Sequence, residues 1–310
     1  MRQLLIFPML CLLLSIACQP TLPPAPQRLK VVAWNILHGA NDYEDGPEAV
    51  IDILEMLAPD VVLMVETYGS GPRIADSLGM NFHLIASEGT PLGDSSVNLS
   101  IYSRYPFGES IDTDHPFYLG GREILVGEQK VRMFSNWFHY LPWENQPETL
   151  GMSAEELLAW EQVGKRNEMV QQVLPTMRTY AAEADSIPVI IGGDFNSPSH
   201  MDWGETTKEQ HNGLVVPWSA TKVLEDIGLI DSYREIHPDP LTHPGITWDQ
   251  PEKTDEHRID YIFYSGQALQ AVSSESYMAF VGDTLRLPDQ SLFYPSDHGI
   301  VVTTFELGKP

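Results

Sequence analysis

The stretch Val189–Pro198, VIIGGDFNSP, decides how the rest of the chain is read. Val189, Ile190 and Ile191 follow Pro188 as a short apolar run, the pattern of a buried strand, and Gly192-Gly193 are expected to end it. Asp194 and Asn196 come next, two residues apart. On an extended segment they face the same way, so both reach one phosphate or metal. A buried strand that runs out into Gly-Gly delivers such side chains at its carboxyl end, where open sheets place their ligands. The same letters also suit a plain strand-to-turn exit, with Asp and Asn as turn formers. The company this segment keeps favours the first reading.

Four other islands share its grammar, an apolar run that delivers a polar residue suited to oxygen or phosphate chemistry. Lys30–His38, KVVAWNILH, delivers Asn35, and Asp60–Glu66, DVVLMVE, delivers Glu66. Arg258–Tyr264, RIDYIFY, carries Asp260 inside a strand-like pattern. Tyr294–His298, YPSDH, sets Asp297 beside His298, ahead of the apolar Gly299–Phe305. Carboxylates in apolar strands are costly to bury without a partner. Several in one chain imply that the strands converge on a cation and its anionic ligand.

In their order these motifs resemble the endonuclease/exonuclease/phosphatase superfamily, which includes pancreatic-type deoxyribonucleases, abasic-site endonucleases, neutral sphingomyelinases and inositol polyphosphate 5-phosphatases. The resemblance runs from about Leu29 to Phe305. It is carried by Trp34-Asn35, Glu66, Ser103–Pro106 (SRYP), His139, Gly193–Asn196 (GDFN), Arg258–Phe263 (RIDYIF) and Ser296–His298 (SDH). One departure stands out. The family's Asn-Thr-His-Leu is here Asn136-Trp137-Phe138-His139, one residue longer, so His139 is matched and Asn136 is not given the family asparagine's role. The resemblance implies a four-layer α/β/β/α sandwich, two mixed sheets face to face with helices outside.

Phosphate-ester hydrolysis needs a hard cation against the phosphoryl charge and a water that loses its proton. Glu66 is the first candidate metal ligand, with Asn35 beside it and Asp297 as a third. The expected ion is Mg2+ or Mn2+. His298 is the candidate base, because neutral imidazole accepts a proton near pH 7, and Asp260 is the candidate orienter of its ring. The family pairs the Asp of its RIDY-type motif with the His of SDH in this way, and gives the equivalent of Asp194 the attacking water. Asp194 and Asn196 would position water and phosphate oxygen, and His139 would donate to a phosphoryl oxygen. Substrate contacts are expected from Asn35, Asn196, His139 and Arg104, the last being the cation of SRYP at a strand end.

The amino terminus reads as an export signal. Arg2 precedes the apolar Leu4–Ala17, which is short for a membrane span, and Ser15-Ile16-Ala17-Cys18 resembles a bacterial lipoprotein cleavage box. Residues 1–18 are then the signal with cleavage before Cys18, residues 19–28 a Pro-rich tether, and 29–310 a single catalytic domain. A plain secretory signal is the alternative. Localisation follows as a membrane-anchored lipoprotein facing the periplasm or cell exterior. Both cysteines, Cys11 and Cys18, fall in the leader, so the domain has no disulfide and relies on core packing.

Eighteen basic against 43 acidic residues give a net charge of −25. Duplex binding draws on Lys and Arg against phosphates, so this balance favours a smaller phosphate ester or a lipid head group over nucleic acid. The reading is a secreted, metal-dependent phosphoesterase, expected to be a monomer. An extracellular nuclease and a non-catalytic binding lipoprotein on the same scaffold are the alternatives.

Along the rest of the chain, Gly46–Leu57 has helical spacing with Pro47 at its start. Residues 127–131 and 133–138 read as a hairpin pair, and Ser153–Tyr180 as the longest helix, opened by a Ser153/Glu156 capping box with Arg166 turned to solvent. Residues 222–227 and 229–233 read as a short helix running into Asp231. Residues 199–217 read as a substrate-facing loop, and Trp143, Trp203, Trp218 and Trp248 mostly as core. Among the other histidines, His38, His83, His115, His200, His211, His237, His243 and His257 are placed in loops or on the surface.

Overall fold

The computed structural model describes residues 27–142, 151–250 and 255–308. The leader with Cys18, most of the tether and Trp143 lie outside the described residues. Among the described residues no helix is long and apolar enough to cross a membrane.

In chain order, β1 (Gln27–Asn35) leads through α1 (Gly46–Leu57) to β2 (Val61–Val65). Next come α2 (Gly71–Leu78), β3 (Asn81–Leu84), β4 (Ser100–Ser103), β5 (Phe107–Ile111), β6 (Leu119–Val126) and β7 (Gln129–Trp137). Two helices, α3 (Ala154–Gln162) and α4 (Lys165–Ala182), carry the chain to β8 (Val189–Asp194). The remainder is α5 (Ser219–Asp226), β9 (Ile230–Asp231), α6 (Ser232–Ile236), β10 (Trp248–Gln250), β11 (Asp255–His257), β12 (Asp260–Ser265), β13 (Leu269–Tyr277), β14 (Thr284–Arg286), β15 (Ser291–Phe293) and β16 (Ile300–Leu307). One six-stranded sheet has the order β13-β16-β1-β2-β4-β3 and the other β5-β6-β7-β8-β12-β9. Both are mixed, because β1 pairs parallel with β2 and β7 parallel with β8, while the other pairings are antiparallel.

The alternation of side chains explains the layering. Leu29, Val31 and Ala33 of β1 meet Val131, Met133, Ile190 and Ile262 in one core between the sheets. The intervening Val32 and Trp34 pack instead with Val50, Ile53 and Leu54 of α1. In the second sheet Val189 and Ile191 turn to Met169, Val170 and Val173 of α4. Central strands are therefore buried on both faces and read as continuous apolar runs. The expected four layers are present.

Four local expectations are corrected. The Gly-Gly of VIIGGDFNSP does not end the strand, since β8 runs through both glycines to Asp194. Gly192 lets the sheets close, a Cβ there falling 2.9 Å from Leu63 and 3.1 Å from Ala33. Gly193 has φ +148°, and a Cβ would sit 2.1 Å from the Asn136 carbonyl oxygen. The hairpin joins β6 to β7 around Gly127, so residues 129–137 form one strand rather than two. The helical stretch after Ser153 keeps its capping box but breaks into α3 and α4 at Val163-Gly164. The short helix does not run into Asp231; Asp231 caps α6, accepting from the Tyr233 and Arg234 N–H groups.

Candidate active site

The parallel pairs β1–β2 and β7–β8 both end at the same edge of the sandwich, and the candidate residues sit there. Asn35 is the last residue of β1 and Glu66 follows β2. Asp194 ends β8 and, in the antiparallel register, faces Asp260 at the start of β12. His298 lies two residues before β16, the antiparallel neighbour of β1. Two crossovers and two antiparallel returns thus bring residues from Asn35 to His298 into one place.

Asn35 bridges the sheets, its Nδ2 donating to Glu66 Oε1 and to Asp194 Oδ2, both at 3.2 Å. His298 Nδ1 is 3.1 Å from Asp260 Oδ2, and its Nε2 is 3.7 Å from Asp194 Oδ2. Asp194, Asp260 and His298 each present one possible ligand atom, all within 4.8 Å of one another, and could hold a metal ion. Ser296 Oγ donates to the Asn35 carbonyl and accepts from the His298 N–H, tying the SDH turn to β1. Glu66 adopts φ +57°, and Leu37 to Ala40 after Asn35 also hold positive φ. This strained loop wraps the carboxylate, with the His38 N–H 2.8 Å from Glu66 Oε2 and the Gly39 N–H 2.8 Å from its carbonyl.

Charge is concentrated here. Burial raises the Asp194 carboxyl to about 8, opposed by His298 and assisted by Asp260. Burial also raises Asp297, and Glu66 adds to the shift against His298. For His298 burial pushes down, but the carboxylates of Asp260 and Asp194 outweigh it, so the ring holds its proton well above its ordinary range. Asp260 Oδ1 and Asp297 Oδ1 are buried without a hydrogen-bond partner. Crowded carboxylates with orphaned oxygens, and oxygen donors almost throughout, fit a hard divalent cation.

Some expected roles do not survive the geometry. Arg104 lies at the other end of β2 from Glu66, because Ser103 pairs with Val61, and its Nε donates to the Pro59 carbonyl at 2.8 Å. It is not brought to the site. Asn35 shows its nitrogen to the carboxylates, while its Oδ1 accepts from the Leu37 N–H, so it meets the cluster as a donor and reaches a cation only through the remaining lone pair of Oδ1. Asn196 spends its amide hydrogens on the Phe138 carbonyl and Asp194 Oδ2, which makes it a holder of Asp194 rather than a substrate contact. His139 directly follows Phe138. Its Nδ1 accepts from the Leu141 N–H, which leaves Nε2 to carry the proton. Burial, then Lys165 and Arg166, lower its pKa, so the ring is a neutral donor.

Other residues shape the site without having been assigned to it. Asn98 Oδ1 accepts the Glu66 N–H, and Thr247 Oγ1 accepts the Asp260 N–H at 3.0 Å. Trp248 is half-buried and sets its ring centroid 4.8 Å from that of His298, so it flanks the cluster rather than the core. Trp203 and Trp218 are buried, as expected. Arg166, expected in solvent, is fully buried, donates to the Asn196 carbonyl and pairs with Glu161. His257 is buried too. In the 199–217 loop, Asp202 pairs with Arg234 and Arg258. The loop is thereby fastened to the RIDY segment.

Comparison with known proteins places this geometry. An uncharacterised Caenorhabditis elegans protein, F14F9.5, is 26% identical over 296 residues, covering 89% of this chain and 91% of its own. The structure of Danio rerio TDP2 complexed with a single-strand DNA product matches with a TM-score of 0.57 at 18% identity, over 90% of this chain and 99% of that one. The human Nocturnin catalytic domain with bound sulfate matches with a TM-score of 0.56 at 18% identity, over 91% and 94%. Residues 32–298, which include every residue of the cluster from Asn35 to His298, match the endonuclease/exonuclease/phosphatase family as a whole. The carboxylate-and-histidine cluster where the two parallel strand pairs end thus lies wholly within the matched span, and the chain belongs to the endonuclease/exonuclease/phosphatase family.

Proposed function

We propose that the chain is an exported, metal-dependent phosphoesterase acting on a small phosphate ester or a lipid head group. Members of the family hydrolyse phosphoester bonds and use divalent metals. The observation that carries the reading is the joining of Asp194, Asp260 and His298 within 4.8 Å, with Asn35 bonded to both Asp194 and Glu66. Glu66 and Asp297 would hold the cation, Mg2+ or Mn2+, next to the cluster. When bound, the ion supplies charge neutralisation at the phosphoryl group and at the leaving oxygen.

The chain's own residues do the rest. Asp260 fixes the His298 ring through Nδ1, so that Nε2 faces the reacting centre beside Asp194. His298 holds its proton and is not the neutral base expected from sequence, so the Asp194 carboxylate is the acceptor. A water beside it gives up its proton to Asp194 as it attacks phosphorus and the ester oxygen leaves, while His298 Nε2–H donates to the reacting centre. His139 Nε2–H donates to a phosphoryl oxygen as charge develops there. Cleavage before Cys18 and acylation of that residue would place the enzyme on a membrane facing the periplasm or cell exterior.

The nuclease reading has one support, since the Danio rerio relative in fold is complexed with DNA. The net charge of −25 opposes it here. The deciding experiment assays metal-stripped protein on bis-p-nitrophenyl phosphate, sphingomyelin, phosphoinositides and plasmid. Activity on the small or lipid esters is expected to return with Mg2+ or Mn2+ and to stop with EDTA. Undiminished turnover in EDTA overturns the metal-dependent reading. Efficient plasmid cleavage that weakens steeply between 10 and 150 mM salt would put the nuclease first, flagging a basic cleft on the scale of the Debye length, about 10 Å at 0.1 M.

A further inference from the structure

Asp260 and His298 meet side chain to side chain but come from different sheets. Asp260 opens β12 in one sheet, and His298 lies two residues before β16 in the other. Backbone ladders fix distances within a sheet, whereas sheets packed face to face stand about 10 Å apart and are spaced by side chains. The 3.1 Å contact between Asp260 Oδ2 and His298 Nδ1 therefore needs a tie across the sheets.

Thr247 supplies one. It is fully buried, directly precedes β10 and stands outside both six-stranded sheets. Its Oγ1 accepts from the Ile259 and Asp260 N–H groups, both at 3.0 Å, and its carbonyl accepts from the Gly299 N–H at 2.7 Å. One residue thus grips the backbone of Asp260 on one side and the backbone next to His298 on the other. Its own N–H donates to the His257 carbonyl at 2.9 Å, and the next residue, Trp248, forms an isolated bridge with His298. Gly299 lets the joint close, since a Cβ there would fall 2.8 Å from Thr247 Cα. Two N–H groups on one hydroxyl oxygen use its acceptor capacity in full. A methyl group in its place would strip both buried donors of that acceptor, and the strand start that carries Asp260 would have to move to replace it.

We propose that Thr247 is a positioning residue of the hydrolysis, which sets the Asp260 carboxylate at hydrogen-bond distance from His298 through its Oγ1. The inference rests on the phosphoesterase reading above and adds a residue to its machinery. It is tested on the full-length protein in Mg2+ or Mn2+, with whichever ester of the panel above the wild type turns over fastest. Thr247→Val keeps the side-chain shape and removes Oγ1. It is expected to lower kcat on the order of 10- to 100-fold with KM nearly unchanged, the scale of losing a contact that orients a reacting group. Thr247→Ser keeps Oγ1 and is expected to stay close to the wild type. In a His298→Ala background Thr247→Val is expected to cost nothing further, because the pair it sets is already broken. Thr247→Ala replaces Thr247→Val in every comparison if urea melts show that the valine variant does not fold. Undiminished kcat without Oγ1, a serine variant as slow as the valine one, or losses that multiply with His298→Ala overturn the assignment of Thr247 alone. Absence of hydrolysis of every ester in the panel by the wild type overturns the phosphoesterase reading and this inference with it.

Discussion

At the scale of one residue, His298 is held from several sides. The Trp34 Nε1–H and the Tyr294 hydroxyl both donate to its carbonyl, its N–H donates to Ser296, and Asp260 faces Nδ1. His298→Ala is expected to lower kcat on the order of 10³-fold with the fold retained, the middle of the usual range for a positioned proton donor or acceptor. Asp260→Asn should also impair turnover by removing the carboxylate that keeps the ring protonated and oriented, and the double variant should be little worse than His298→Ala. Multiplicative losses in steady-state kinetics would show that the two side chains do not act as a unit. Asp194, Asp260, Glu66 and His298 were legible in the sequence because each stands at or near the end of an apolar run, where only a site explains a carboxylate or imidazole. Arg104 stands in the same kind of place, yet the antiparallel pairing of β4 with β2 sends it to the far end. Arg166 was not legible, since helical spacing does not say which face of α4 meets a buried loop. Its partners, the Asn196 carbonyl and Glu161, are remote in sequence or across a helix break.

At the scale of elements, the sequence revealed runs better than their ends. Helix α1 matches its expected bounds, because Pro47 starts it and the apolar spacing stops at Leu57. Strand β6 went unread because LGGREILV carries two glycines and two charges in a strand that is nonetheless mostly buried. The edge strand β3 holds His83, whose pKa is driven down to about 4 by burial first and Arg122 second, against Asp112. The folded chain therefore binds fewer protons at His83 than the unfolded chain does between the ordinary value of 6.5 and about 4. Stability from this residue is full above pH 6.5 and is lost as the pH falls through that window. His83→Asn is expected to shrink the loss of unfolding free energy between pH 7 and pH 4.5 by on the order of 2 kcal/mol, read from urea melts at the two pH values. An equal loss in both proteins would place the acid sensitivity elsewhere.

At the scale of the whole molecule, the site and the start of the described chain lie at opposite ends of one strand. β1 runs from Gln27 to Asn35, nine residues, or roughly 30 Å at the rise of an extended chain. A lipid on Cys18 would therefore moor the molecule by the end remote from Asn35. The stretch between Cys18 and Gln27, fully extended, reaches only about 30 Å, barely the length of the strand it would have to double back along. If Cys18 is acylated as proposed, the molecule would stand on its membrane like a lamp on its base, with the reacting cluster turned to the aqueous compartment. Under that proposal its substrates would be soluble phosphate esters or head groups presented by another surface, rather than lipids of the bilayer that carries it. Acylated enzyme on vesicles is expected to match the non-acylated form in kcat/KM on a soluble diester and to leave the head groups of its own vesicles intact. Release of those head groups in proportion to anchored enzyme would show instead that the mouth faces the surface.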